Sequence, residues 1–379
     1  MKLIHTGDLH LGSALKSLSA EKARVRRDEL TDTFRRLSLY AQKSGVYGVI
    51  IAGDLFDTSA PSLYLQREVL SIFALAPSVR FFYLTGNHDK RFAFADDLPE
   101  NVCLFNAKQN LYGGGFYTYS LPENVTLTGA DAAFLNGLDY SALRLPAQAF
   151  NILTLHGELT ADQTATSQTA TFQNAITAEP TPVADPVRIR QLKNKNINYL
   201  ALGHIHNPPA LAPLDGRGKY RYCGCLEGRG YDEKGEKGCY LLEIKKGRLL
   251  ADVFLSFAKR TVHALTLTLS DEDFFAVERR LSALSAPIPE KDMLKITLKG
   301  NRPADGTWLP NRLIGFLNDK FFSAKLDDET RVQRETDPFD TSLRGEFLRL
   351  LSAAMADERV KDEAAQLAFT ALCGEEIPL

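Results

Sequence analysis

The sequence predicts an α/β fold, and three observations carry that reading. Short apolar runs rich in β-branched and aromatic residues recur at residues 2–6, 47–52, 80–85, 150–155 and 197–202. Segments of helical period lie between the early runs. Beyond about residue 260 the strand and helix alternation starts afresh. A chain of 379 residues exceeds one ordinary compact unit, so two domains are expected, spanning 1–260 and 261–379.

The elements follow in order. KLIHT (2–6) is the first strand. The stretch SAEKARVRRDELTDTFRRLSLYAQK then places Leu30, Phe34, Leu37 and Ala41 at helical spacing. YGVIIA (47–52) is the second strand, residues 64–75 give a second helix, and RFFYLT (80–85) is the third strand. FNILTL (150–155) and INYLAL (197–202) are the fourth and fifth. Before the last of these, DPVRIRQLKNK reads as a helix with Asp185 as its cap and Pro186 at its first position. The segment 157–184, rich in Thr, Ala, Gln and Pro, reads as a long, partly mobile loop. Residues 219–256 read as strands joined by Gly-rich turns, which ends the first domain antiparallel. From Val262 the order is strand (HALTLTLS), helix (271–284), strand (MLKITLKG), then helices from about 308 and from 341 to the end, with no internal repeat. GEFLRLLSAAM places Phe347, Leu350 and Leu351 on one helix face.

Composition narrows the classes. Apolar residues at 44% and charged residues at 24% permit a sizeable buried core. No apolar run approaches the ~18–20 residues of a membrane span or signal region, which points to the cytoplasm and away from a membrane. Five cysteines, an odd number, read as reduced thiols. Cys223, Cys225 and Cys239 offer three thiolates to zinc, or are small apolar residues on neighbouring strands; structural zinc usually takes four ligands, which favours the second reading. A net charge of −2 excludes a global basic field, so a polyanion is held locally if at all. Arg24, Arg26, Arg27, Arg35 and Arg36 crowd the first helix. They either meet DNA phosphates or form a solvated face balanced by Glu21, Asp28, Glu29 and Asp32. The Gly-rich GCLEGRGYDEKGEKGC either brings Arg229 to a substrate or makes hairpin turns.

Each of the five apolar strands runs into metal-ligand residue types. These are Asp8-Leu9-His10, Gly53-Asp54, Gly86-Asn87-His88-Asp89, His156-Gly157 and Gly203-His204-Ile205-His206. Carboxyl ends of strands in an α/β sheet line one edge, so residues spread over two hundred positions converge there. In D-x-H and H-x-H the two side chains leave an extended segment on the same side. Carboxylate, carboxamide and imidazole suit Mn²⁺, Fe or Zn²⁺ rather than a thiolate site, and the set is too large for one ion, which implies two ions sharing a carboxylate. Two ions ~3.5–4 Å apart hold both non-bridging oxygens of a phosphate and lower the pKa of a bridging water. Phosphoester hydrolysis then needs from the protein one hydrogen-bond donor near the phosphate or leaving oxygen, for which His88 is the candidate. His5, inside the first strand, reads as packing, and His263 is given no role.

DLH, GDLFD, GNHD, an isolated HG and GHIH, in that order, resemble the calcineurin-like metallophosphoesterases over roughly residues 1–260. The opening KLIHTGDLHLG, GDLFDTSAPS, YLALGHIHNP and the trailing strands are most similar to the SbcD-type DNA exonuclease subunit and its bacterial relatives. The resemblance implies a four-layer α/β/β/α sandwich with a smaller C-terminal α+β cap. It implies that Asp8, His10 and His206 bind one metal, that Asn87, His156 and His204 bind a second, that Asp54 bridges them, and that His88 contacts the phosphate. Some relatives carry a histidine three places after the bridging aspartate where this chain has Asp57, which points to Asp57 as an orienting residue. Asp89 and Arg229 are further candidates for support or substrate contact. The implied activity is a DNA phosphodiesterase in which a metal-bridging hydroxide attacks phosphorus. Mn²⁺ is the first choice, with Mg²⁺, Fe or Zn²⁺ as alternatives. The implied partners are DNA, a coiled-coil ATPase of the SMC-like, SbcC type bound by the C-terminal region, and a second copy of the chain. The rivals are a phosphatase or cyclic-nucleotide phosphodiesterase, and a non-catalytic scaffold.

Overall fold

The structure, a computed structural model, describes residues 1–105, 114–160, 186–270, 272–302, 310–332 and 341–372. The chain divides into two compact units, Met1–Thr261 and Val262–Leu379. Among the described residues no helix is long and apolar enough to cross a membrane.

The first unit is built on two six-stranded sheets. One has the order β14 (Arg248–Ser256), β13 (Gly238–Lys245), β1 (Lys2–Thr6), β2 (Gly48–Ala52), β3 (Arg80–Leu84), β4 (Val102–Leu104). The other has the order β11 (Ala212–Pro213), β12 (Lys219–Tyr222), β10 (Tyr199–Gly203), β7 (Phe150–His156), β6 (Val125–Gly129), β5 (Tyr117–Leu121). Strands β1 to β4 pair in parallel, as do β6, β7, β10 and β12, while β13 and β14 run antiparallel at one edge. Parallel strands buried on both faces read as continuous apolar runs, which is why these five were legible.

Alternation along each strand assigns the layers. Leu3, Ile50, Phe82 and Leu84 of the first sheet pack with Leu127, Ile152, Tyr199 and Ala201 of the second, so the sheets lie face to face. On the outer face of the first sheet, Ile4, Val49, Ile51 and Phe81 meet Leu30, Phe34, Leu37 and Ala41 of helix α1 (Ala20–Lys43) and Val69, Ile72 and Phe73 of α2 (Leu63–Ala74). Ser19 and Ser62 cap these helices by accepting from Lys22 N and Leu65 N, each cap contributing about 1 kcal/mol. The outer face of the second sheet is covered by shorter pieces: a turn at Ala132–Gly137, residues to Leu145, and α3 (Ile189–Leu192).

Two readings of the sequence need correction here. DPVRIRQLKNK is mostly not helix, because Pro186–Arg188 forms strand β9, paired in parallel with β8 (Glu158–Thr160). Its helix is the four-residue α3, and Asn194 and Asn196 at φ of 61° and 62° keep the chain from continuing it. The proposed cap, Asp185, lies outside the described residues, as does the greater part of the segment 157–184, whose beginning is the strand β8. The first-helix arginines do not act as one group. Arg26 is buried and bound to Glu29 and Glu227, Arg35 meets Asp32 and Glu68, Arg36 donates to Thr33 and the Phe257 carbonyl, and Arg24 is exposed.

In the second unit β15 (Val262–Ser270), α4 (Phe274–Ser285), β16 (Met293–Arg302), α5 (Pro310–Lys320) and β17 (Ser323–Asp328) alternate, and β15, β16 and β17 pair in parallel. A short β18 (Arg331–Val332) also joins β16. This smaller unit is therefore made of interleaved strands and parallel crossovers, where an α+β layout implies segregation. Leu267, Val277, Leu281, Ile296, Leu313 and Leu317 form its core. Helices α6 (Leu343–Ala353) and α7 (Glu358–Leu372) pack through Leu348, Ala365 and Phe369. Phe347 and Leu351 join that contact, but Leu350 is 65% exposed, so the expected three-residue stripe holds for two. His263, left without a role, pairs with Asp292 at 2.8 Å.

Candidate metal centre

The polar residues at or just after the ends of β1, β2, β3, β7 and β10 meet at one end of the facing sheets. Backbone hydrogen bonds fasten the first two loops together: Asp8 N to Gly53 O at 3.0 Å and His10 N to Asp54 O at 2.9 Å. Asp8, His10 and Asp54 have φ of 49°, 46° and 51°, and His204 has 104°. Left-handed backbone at non-glycine residues costs about 1–3 kcal/mol each and persists where the surroundings over-determine it. Here it turns four donors towards a common point. Two glycines make room: a Cβ on Gly53 would collide with the His156 ring, and one on Gly86 with the Asp54 carboxylate.

The donor distances separate two overlapping groups. His10 Nε2 and His206 Nε2 lie 3.1 Å apart, with Asp8 Oδ1 3.8 Å from His206 Nε2. Asn87 Oδ1 lies 2.8 Å from His156 Nε2 and 3.1 Å from His204 Nδ1. Between them, Asp54 Oδ2 is 3.5 Å from His10 Nε2 and 3.3 Å from His156 Nε2. Ligand atoms of Asp8, His10 and His206, and those of Asp8, Asp54 and His156, gather within 4.8 Å of one another, as do those of His10, Asp57 and His88. Buried imidazoles and carboxylates aimed inward at this spacing fit divalent cations, and the group shared through Asp8 and Asp54 fits two.

The rings are held from behind. His156 Nδ1 contacts the Ala52 carbonyl at 2.8 Å, His206 Nδ1 contacts Glu233 Oε1 at 2.6 Å, and His10 Nδ1 lies 3.1 Å from Asp57 Oδ1, off the line of a hydrogen bond. Each contact leaves Nε2 facing the site. Asp8 is held by two contacts from His204 N at 2.9 Å. Asp89 accepts from Gly86 N, Phe56 N and Tyr83 OH at 2.6, 3.2 and 2.7 Å, so it ties the Gly86–Asn87 turn to the loop after Asp54. His88, with its side chain 42% exposed, stacks edge-on against His10 at 4.6 Å, and its Nδ1 is 3.3 Å from the Asp57 carbonyl.

Charge in this cluster is redistributed by burial and by neighbours. Burial pushes Asp8 up to about 6, against His156 and His206. Burial alone would lower His156, but Asp54 and Asp8 overcome it and hold His156 up at about 9. Burial would raise Asp54, yet His156 and His10 hold it well below the carboxylate range. Burial lowers His10 to about 4, helped by Arg229 and opposed by Asp57. Glu233 is kept at about 2 by His206 and Arg229 in spite of burial.

Glu233 is the residue that sequence reasoning missed. It stands in the same Gly-rich stretch as Arg229, with the exposed Asp232 and Glu236 close by, and nothing local distinguishes it. Cys223, Cys225 and Cys239 are buried, and burial pushes their thiols up, against thiolate ligation. Cys223 Sγ lies 3.8 Å from Asp8 Oδ2, and Cys225 Sγ lies 3.6 Å from Glu233 Oε2. His5 is packing, with Nδ1 3.1 Å from Tyr199 OH.

Comparison with known proteins adds four findings. The chain is 27% identical over 274 residues to the DNA double-strand break repair protein Mre11 of Methanopyrus kandleri, covering 67% of this chain and 56% of that one. It thus spans little more than half of that relative's length. A dimetal phosphatase from Danio rerio superposes with a TM-score of 0.42 at 12% identity, over 68% of this chain and 99% of the other. TT1561 of Thermus thermophilus gives 0.41 at 12%, over 67% and 98%. The model of the calcineurin-like phosphoesterase family matches residues 1–224, the stretch that carries Asp8 through His206, and the chain belongs to that family.

Proposed function

We propose that this metal-dependent phosphoesterase is a DNA phosphodiesterase of the SbcD kind, loaded with two Mn²⁺ ions and working in DNA repair in the cytoplasm. The observation that carries the reading is Asp54 Oδ2, 3.5 Å from one cluster's His10 and 3.3 Å from the other's His156. A carboxylate in that position serves two cations at once. Bound there, the cations supply Lewis acidity towards the phosphate and lower the pKa of water. The name of the Methanopyrus relative supports DNA as the substrate class.

The chain's own residues do the rest. Asp8, His10 and His206 hold one cation, Asn87, His156 and His204 the other. His88 reaches into solvent beside His10. Its Nδ1 lies 3.3 Å from the Asp57 carbonyl, and the ring is placed to offer a hydrogen bond to a phosphate or leaving oxygen. A coiled-coil ATPase of the SMC-like type would bring strong DNA affinity that a chain of net charge −2 lacks. We assign partner binding to the unit Val262–Leu379, and a second copy of the chain is a further partner.

The test incubates purified protein and Mn²⁺ with end-labelled DNA, with a small phosphodiester and with phosphomonoesters, beside Asp54→Ala. DNA cleavage abolished by Asp54→Ala, with folding retained, is the expected result. Turnover of small esters alone assigns a phosphatase or cyclic-nucleotide phosphodiesterase instead. Absence of any turnover from metal-loaded protein assigns a scaffold.

A further inference from the structure

The guanidinium of Arg229, a candidate for substrate contact from sequence, is already engaged. Nη1 donates to Asp57 Oδ1 at 2.8 Å, while Nη2 and Nε lie 3.3 and 3.4 Å from Glu233 Oε1. The Arg229 backbone N–H donates to Glu233 Oε2 at 2.6 Å. The side chain is 17% exposed.

Behind those two carboxylates stand two imidazoles of one metal cluster. Asp57 Oδ1 lies 3.1 Å from His10 Nδ1, and Glu233 Oε1 lies 2.6 Å from His206 Nδ1. The opposite nitrogens of the same rings, both Nε2, are 3.1 Å apart. A closed circuit results: His10, Asp57, Arg229, Glu233, His206, and back across the cation position. The other cluster is supported differently. His156 leans on the Ala52 carbonyl, part of strand β2, which no side-chain substitution removes.

Resting on the two-cation reading above, we infer that Arg229 is a positioning residue. By clasping Asp57 and Glu233 it sets the cation affinity of the His10–His206 subsite and leaves the support of His156 untouched. A planar guanidinium with five donors spans two carboxylates in fixed geometry, which an ammonium, as a point charge, does not. Partners that orient metal-bound histidines contribute about 10–100-fold in metal affinity. That range applies to one of the two ions.

The experiment titrates metal-free protein with Mn²⁺ and follows free Mn²⁺ by electron paramagnetic resonance, for the unsubstituted chain, Arg229→Lys and Glu233→Gln. Melting curves without metal identify which variants are folded, and either folded variant suffices. The clasp predicts that one ion binds as in the unsubstituted chain and the other about 10–100-fold more weakly. Turnover at saturating Mn²⁺ then recovers while the half-saturating Mn²⁺ concentration rises. Two ions bound with unchanged affinity, or both weakened alike, overturn the clasp alone. Fewer than two ions on the unsubstituted chain overturn the two-cation reading, and the clasp with it.

Discussion

The Nε2 atoms of His10 and His206 face one another across 3.1 Å, although 196 residues separate them in the chain. Two ring nitrogens at that distance share one proton or repel, and a cation between the rings replaces that proton. Chelation therefore removes stabilisation. A ligand bound to the folded state alone contributes about 2.7 kcal/mol at a hundred times its Kd. Calorimetric melting with chelator and then with excess Mn²⁺ checks this, and an unchanged Tm would contradict it.

Loading the site should release protons. His156 is raised from 6.5 to about 9, so the stability contributed by its charged form is complete below pH 6.5 and lost as pH rises through 9. A cation needs the neutral ring. Apparent affinity should rise with pH up to about 9, then level off. Below about 6 Asp8 also takes up a proton, which steepens the dependence. Isothermal titration in two buffers of different ionisation enthalpy, at pH 7.5, should report net proton release on loading.

Gly86 is a sharper test of assembly than any ligand. A methyl group there meets Asp54 Oδ1 and the Asp54 backbone nitrogen, whereas one at Gly216 meets nothing within 4 Å. Gly86→Ala should weaken metal binding by more than the roughly 100-fold upper range for outer partners and destabilise the fold by about 1–3 kcal/mol. Gly216→Ala should change neither. Metal titration and urea unfolding of the two variants make the comparison.

His88→Gln should separate binding from turnover. The ring is exposed and stacks on His10, and the proposed ligand set does not include it. Loss of a single donor to a developing oxyanion costs about 10²–10³ in kcat. Mn²⁺ stoichiometry and affinity should stay as in the unsubstituted chain, and a large loss of affinity would place His88 among the ligands instead.

The sequence made the centre legible because its donors follow buried parallel strands, where Val49 to Ala52 or Phe81 to Leu84 leave no polar position to confuse the pattern. What it hid lies at edges and in loops. Strands β4 and β5 carry short or polar-alternating segments, VCL and YTYSL, whose apolar signal is weak. Glu233 acts only through His206 and Arg229, and spacing along the chain does not reveal which of several carboxylates in a Gly-rich loop turns inward. Arg26 looked like one charge among many on a helix, and its burial depends on Glu227, two hundred residues away.

The left-handed backbone at Asp8, His10, Asp54 and His204 has an evolutionary corollary. Glycine at any of them would relax the main chain while deleting a donor. A search for hardier versions of this protein that ranks candidates by the heat resistance of the metal-free chain alone will therefore enrich inert ones at these four codons, and selection for turnover must oppose it continuously.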